Sequence, residues 1–119
     1  MKFLCAVYFE PETLAALSPS EKAKLDRDSM AYDDELRRSG HYLVSNALDP
    51  VSRARTVRVR RGKTMATDGP FAETKEHLGG FILINAADID EAVEIAAKIP
   101  LAKLGSIEVR PTMTIRSKA

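Results

Sequence analysis

Two periods alternate along the chain. Phe3 to Phe9 carries apolar residues on both faces, as does Phe81-Ile82-Leu83-Ile84, which predicts two central strands covered on both sides. His41 to Leu48 reads as another strand, stopped by Asp49-Pro50. Ser106 to Arg110 alternates as a last one before Pro111, with Thr112 to Arg116 as its extension past a kink. Arg53 to Arg61 alternates after Thr56, placing Val57 and Val59 on one side and Arg58 and Arg60 on the other. Arg61-Gly62-Lys63 then turns the chain into Thr64 to Thr67, so this segment is a β-hairpin.

The helical period appears twice. Ser18-Pro19-Ser20-Glu21 combines a capping Ser, a Pro at the first helical position and a Glu able to reach back to the cap amide, and predicts a helix from Pro19 to about Ser39, closed by Gly40. Leu25, Tyr32 and Leu36 share one face with Ser29 between them, while Asp26, Asp33, Glu35 and Arg37 point away. This apolar stripe is narrow for a core helix, so part of it is expected to wall a pocket into which Tyr32 and Ser29 direct hydroxyls. Asp88-Ile89-Asp90-Glu91 starts a second helix, along which Ile89, Ala92, Val93, Ala96 and Ala97 recur at core spacing up to Pro100. Glu10 to Leu17 and Leu101 to Gly105 read as connections.

Without the hairpin, the order is β-α-β-β-α-β, the α+β arrangement in which two helices cover one face of a four-stranded antiparallel sheet. The other face is left bare although its central strands are apolar there. Burial of that face against a second copy predicts a homodimer with sheet packed on sheet.

Composition narrows the function classes. A chain of 119 residues, 45% hydrophobic and 29% charged, is read as a single domain over residues 1–119 with one core. A net charge of +1 gives no long-range field, and the hairpin's basic residues lack interleaved aromatics for base stacking, so no nucleic-acid partner is expected. No apolar run reaches a membrane span, and the opening apolar run ends at Glu10 without a cleavage site, which reads as a cytoplasmic protein with no membrane partner. The single Cys5 reads as a small buried hydrophobe.

Chemistry concentrates in Thr67-Asp68-Gly69-Pro70-Phe71-Ala72-Glu73-Thr74-Lys75-Glu76-His77-Leu78-Gly79-Gly80. Asp68-Gly69-Pro70 is a turn, Phe71 is expected to anchor the loop in the core, and Gly79-Gly80 would let the backbone run close to a neighbour or a ligand. Two readings of the loop stand together. In one, Lys75 is partly desolvated between carboxylates in an ion-pair network that fixes the loop. In the other, Asp68 or Glu73 is a general base on a carbon acid or phenol, Lys75 or Arg58 stabilises the oxyanion, and Glu76, His77 and Tyr32 help bind the substrate. His41, at the start of its strand, is a further catalytic candidate. No His-x-His or Glu-x-x-His spacing supports a metal, and neither reading calls for a cofactor.

The same stretch, with Val57-Arg58-Val59 ahead of it and Glu108-Val109-Arg110-Pro111 at the end, resembles the DGPF-domain branch of the YCII-related proteins. The resemblance implies the dimeric α/β-barrel form of the ferredoxin-like fold, here with an inserted hairpin. It also implies a fold shared with muconolactone isomerases and small cofactor-free oxygenases. One branch of the family includes a dehydrochlorinase, and others imply a catalytic His-Asp pair, for which His41 and Asp68 are the counterparts to consider. Asp68, Glu73, Lys75 and Glu76 match the motif, whereas His77 stands where Gln is frequent. The expected function is that of a small homodimeric isomerase, lyase or dehydrochlorinase-like enzyme with a polar pocket for a small organic ligand. That pocket is expected between the first helix and the sheet, lined by the Asp68 to His77 loop. The alternative is a non-catalytic accessory protein associated with an extracytoplasmic-function sigma factor, since DGPF proteins are often encoded beside one.

Overall fold

A computed structural model describes residues 1–115. Its strands are β1 (Lys2–Phe9), β2 (Tyr42–Ala47), β3 (Arg55–Arg60), β4 (Lys63–Asp68), β5 (His77–Asn85) and β6 (Ser106–Pro111), and its α-helices are α1 (Pro11–Ala15), α2 (Pro19–Arg38) and α3 (Ile89–Ala97). The main sheet has the order β2-β5-β1-β6, with every pairing antiparallel, while β3 and β4 form a separate two-stranded sheet. The fold is therefore α+β, with β-α-β-β-α-β order once the hairpin and the short helix α1 are set aside. Thr112 bonds back to Lys2 O, but residues 112–115 form no strand, and Arg116, the end of the expected extension, lies outside the described residues.

Both long helices start where their caps dictate. Ser18 Oγ accepts from the Glu21 amide at 3.1 Å while Glu21 Oε1 accepts from the Ser18 amide at 2.9 Å, and Asp88 Oδ1 accepts from the Glu91 amide at 2.9 Å. Gly40, at φ +81°, turns the chain out of α2 in a conformation that a side chain would strain. The core lies between the helices and one face of the sheet, built on Phe3, Cys5, Leu36, Ile84, Ala92 and Ala96. Burial pushes the Cys5 thiol up to about 11, leaving it a neutral packing residue at ordinary pH.

Three expectations are corrected. The segment Glu10 to Leu17 is not a plain connection, because Pro11 opens the short helix α1. Of the five residues expected to face the core along α3, only Ala92 and Ala96 are buried, and they are joined by Ile95, whereas Ile89 and Val93 are about half exposed. The helix packs through small residues at its centre and leaves its bulky pair outside. Phe71 does not enter the core either: it is 75% exposed, with the Arg58 guanidinium 5.1 Å above its ring.

The face of the sheet away from the helices is apolar and uncovered. Register puts Leu4 opposite Leu83 and Ala6 opposite Phe81, with Val44 beside Leu83 on the outer strand, and Glu108 and Arg110 at the other edge. Leu4, Tyr8, Phe81 and Leu83 are only half-buried and Val44 is exposed. The hairpin stands apart, its side chains almost all exposed. A radius of gyration of 16.7 Å exceeds the roughly 13.5 Å expected for a compact domain of this length, as a projecting arm requires.

Candidate functional site

The space between α2 and the sheet is a cavity of about 330 Å³, at the lower end of small-molecule pockets. Its position follows from two breaks in regularity. Between Val7 and Tyr8 the register of β1 on β5 shifts, leaving Gly79 as the unpaired residue of a bulge. The Phe9 ring lies so close over Gly79 that a β-carbon there would collide with it, and the Asn46 carbonyl crowds Gly80 in the same way. The paired glycines thus admit a neighbouring ring and strand, and both line the cavity. The second break is α1, which brings Leu14 to the wall.

The cavity is apolar on most sides, through residues such as Phe9, Leu14, Leu25, Leu48, Ile82 and Ile99, and polar where α2 meets β2. There Ser45 Oγ donates to Asp33 Oδ2 at 3.2 Å and lies 2.7 Å from Tyr42 Oη, while the Arg37 guanidinium stacks 4.2 Å from the centre of the Tyr42 ring. Ser29 and Asn46 add polar groups, and the Lys22–Asp26 ion pair, at 2.9 Å, stands at the rim. A wider groove of about 800 Å³ runs along α2 towards Lys98 and Lys103, but it is shallow and lined by charges such as the Lys24–Asp28 pair, so it lacks the enclosed apolar wall that a small organic ligand requires.

The expected site residues are distributed differently. Tyr32 lines the cavity, but its hydroxyl is committed: it donates to Ile95 O at 2.6 Å, and burial, with Glu35 nearby, pushes the phenol up to about 12. The hydroxyl expected to point into the cavity instead ties α2 to α3. No residue from Asp68 to His77 lines the cavity, contrary to expectation. Asp68 is exposed and lies 3.4 Å from Arg55 across the base of the hairpin, Glu73 is exposed, and the Glu76 carboxylate accepts a long 3.4 Å bond from Ser106 while its backbone carbonyl accepts from Thr74 Oγ1 at 2.6 Å. Lys75 is not desolvated: its side chain is 82% exposed and pairs with Glu10 at 3.4 Å, not with Asp68, Glu73 or Glu76.

His77 begins β5, whereas His41 packs against its end, with Nδ1 2.8 Å from Asn85 O and 3.8 Å from Glu91. Nine residues of strand, about 27 Å, separate those ends, and because His41 is engaged with Asn85 and Glu91 while Asp68 is engaged with Arg55, the two do not form a pair within one chain. Arg58 lies on the hairpin with Phe71. Among the described residues, no group of three His, Cys, Asp or Glu side chains gathers as a metal cage would.

The residues that sequence reading missed are Asp33 and Ser45. Asp26 and Asp33 were expected to point away from the core, yet both line the cavity. The available signal was the spacing Lys22, Asp26, Ser29, Asp33, a polar stripe at steps of four, three and four beside the apolar one.

Residues 1–116 match the YCII-related domain. An uncharacterised protein of Rhizobium meliloti (strain 1021) is 37% identical over 113 residues, covering 93% of this chain and 91% of that protein. In fold, the chain is similar to the 5-chloro-2-hydroxyhydroquinone dehydrochlorinase TftG of Burkholderia phenoliruptrix AC1100, solved in complex with 2,5-dihydroxybenzoquinone. The TM-score is 0.56 at 18% identity, with 95% of this chain and 94% of that one covered.

Proposed function

Because the chain belongs to the YCII-related family, we propose that it is an acid/base enzyme acting on a small, largely apolar ring compound bearing hydroxyl or carbonyl oxygens, with the cavity between α2 and the sheet as its site. The observation that carries this reading is the Asp33–Ser45 contact on the one polar wall of that cavity. A carboxylate held beside a hydroxyl, facing apolar residues, supplies a proton acceptor and a hydrogen-bond donor in a single place. Asp33 takes a proton from a phenolic O–H or an activated C–H, and the electron pair stays on the substrate as a phenolate or enolate. As Asp33 takes the proton, the Ser45 hydroxyl that it had held is released to donate a hydrogen bond to the oxygen that gains charge. In an elimination, that electron pair then expels the leaving group as its anion. The fold likeness to a dehydrochlorinase that binds a hydroxylated quinone supports this substrate class.

The reading includes a homodimer. The uncovered band of Leu4, Tyr8, Phe81, Leu83 and Val44 is the kind of surface that a second copy buries.

The test is a thermal-shift screen of catechols, hydroquinones, hydroxybenzoquinones and unsaturated lactones on the wild type and Asp33→Asn. Hits stabilise the wild type, by about 2.7 kcal/mol at a hundred times their dissociation constant, and lose most of that effect in the variant. Equal shifts in both proteins would remove Asp33 from the site. No hits, together with direct binding to a sigma factor, would replace the enzyme reading with the accessory one.

A further inference from the structure

We propose that the β3–β4 hairpin is a docking arm that lies on a second copy of the chain, in the groove between α3 and β6. This rests on the reading that two copies stack their open sheet faces.

The arm is incomplete by itself. Two-stranded hairpins are marginal in water without a partner surface, and among the described residues this one finds none. Its contacts are local: Arg55 with Asp68, Thr56 Oγ donating to Gly69 O at 2.9 Å, and Arg58 over Phe71. Directly opposed residues share a face, so Val57 and Val59 stand with Ala66 and Thr64 on one side. Both valines are more than half exposed.

Charge is segregated between arm and body. Residues 53–68 hold six cationic side chains, Arg53, Arg55, Arg58, Arg60, Arg61 and Lys63, against the single carboxylate of Asp68. The rest of the chain holds 12 Lys and Arg against 16 Asp and Glu, and no Lys or Arg occurs between Lys75 and Lys98. That acidic interval contains α3. Its exposed Ile89 and Val93 form, with Ile107 and Val109 of β6, an apolar groove of about 420 Å³, and Asp88, Asp90 and Glu94 are their neighbours along the helix and its cap. An apolar groove with acidic neighbours complements an arm with valines on one face and cations gathered at its Arg60 to Lys63 tip.

Topology allows the match between copies. The arm leaves the sheet beside the edge strand β2, and the groove lies along the opposite edge strand β6. A two-fold axis parallel to the strands lays β2 of one copy over β6 of the other.

Mixing Val59→Cys with Val93→Cys under mild oxidation, with sedimentation run on the same samples, tests the proposal; native Cys5 is fully buried and stays silent. The expected result is a covalent heterodimer at least tenfold above either variant oxidised alone. It should be lost on adding Arg60→Glu and Lys63→Glu to the arm, and restored when Asp90→Lys and Glu94→Lys are added to the groove. A dimer by sedimentation without this cross-link, or with equal self-linking of each variant, overturns the arm and leaves the sheet dimer standing. A monomer overturns both. Salt-dependent binding of a DNA duplex that the arm reversals abolish, without the cross-link, also overturns the proposal and makes the arm a nucleic-acid surface.

Discussion

Ser45 on β2 donates a hydrogen bond to Asp33 on α2 at 3.2 Å, and through that contact this helix and the outer strand of the sheet share the polar wall of one cavity. Ser45→Ala removes the donor but keeps the carboxylate. Because both groups are part-exposed, the expected loss of stability is at most about 1 kcal/mol, while affinity for any ring ligand found by screening falls. Denaturant midpoints beside ligand titrations of Ser45→Ala, Asp33→Asn and the double variant check this, and independent, additive losses would show that the two side chains do not act together.

Gly79 is expected to differ from Gly105. A methyl group at Gly79 meets the free end of the Phe9 ring, which can swing towards the cavity, so Gly79→Ala costs about 1 kcal/mol and weakens ligand binding. At Gly105 the obstacle is the Tyr8 backbone carbonyl, which cannot rotate away, and the cost rises to about 3 kcal/mol. Thermal unfolding of both variants, with Phe9→Ala added to the first as a rescue, measures the difference.

Tyr32→Phe separates a structural tyrosine from a catalytic one. The lost bond to Ile95 O, 2.6 Å long and buried, is expected to cost about 1 kcal/mol, since that carbonyl keeps the Lys98 amide as a partner. Ligand affinity and turnover should remain; a large loss of turnover at unchanged stability would return Tyr32 to the reacting groups.

Lys75→Met is expected to change stability by less than about 1 kcal/mol, because the Lys75–Glu10 pair is open to solvent on the lysine side. A denaturant midpoint lowered by several kcal/mol would instead reveal a desolvated network around the loop, with a second copy as its cover.

The α2 cap makes stability depend on pH in a defined direction. Hydrogen bonds from the Ser18 backbone and then its side chain hold the Glu21 carboxyl below its ordinary 4.5. A carboxylate with a depressed folded value stabilises the fold above the unfolded value, and that contribution is lost as pH falls through the folded one. The wild type should therefore exceed Glu21→Ala in melting temperature at pH 7, and the gap should narrow below about pH 4.5. A gap that is constant from pH 7 to pH 3 would rule out a contribution from the charged form.

Local rules alone determined much of this protein. Caps that satisfy orphan amides set the helix starts at Ser18 and Asp88, a left-handed glycine ended α2, and two-sided apolar runs marked β1 and β5 as central strands; each signal is contained within a few residues. Of the stripe from Leu25 to Leu36, Leu25, Ser29 and Tyr32 line the cavity while Leu36 is buried in the core. Tertiary structure decided the rest. Whether Phe71 is buried depends on what lies above it, and in a single chain the hairpin carries it away from the core. Proximity in sequence placed Asp68, Glu73 and Lys75 together, but a loop beyond a projecting hairpin is not where a cavity forms. The cavity forms where a bulge at Gly79 and the helix α1 interrupt close packing between α2 and the sheet. Asp33 and Ser45 meet across that gap because strand register turns Ser45 towards α2, and register is a property of paired strands that no single segment carries.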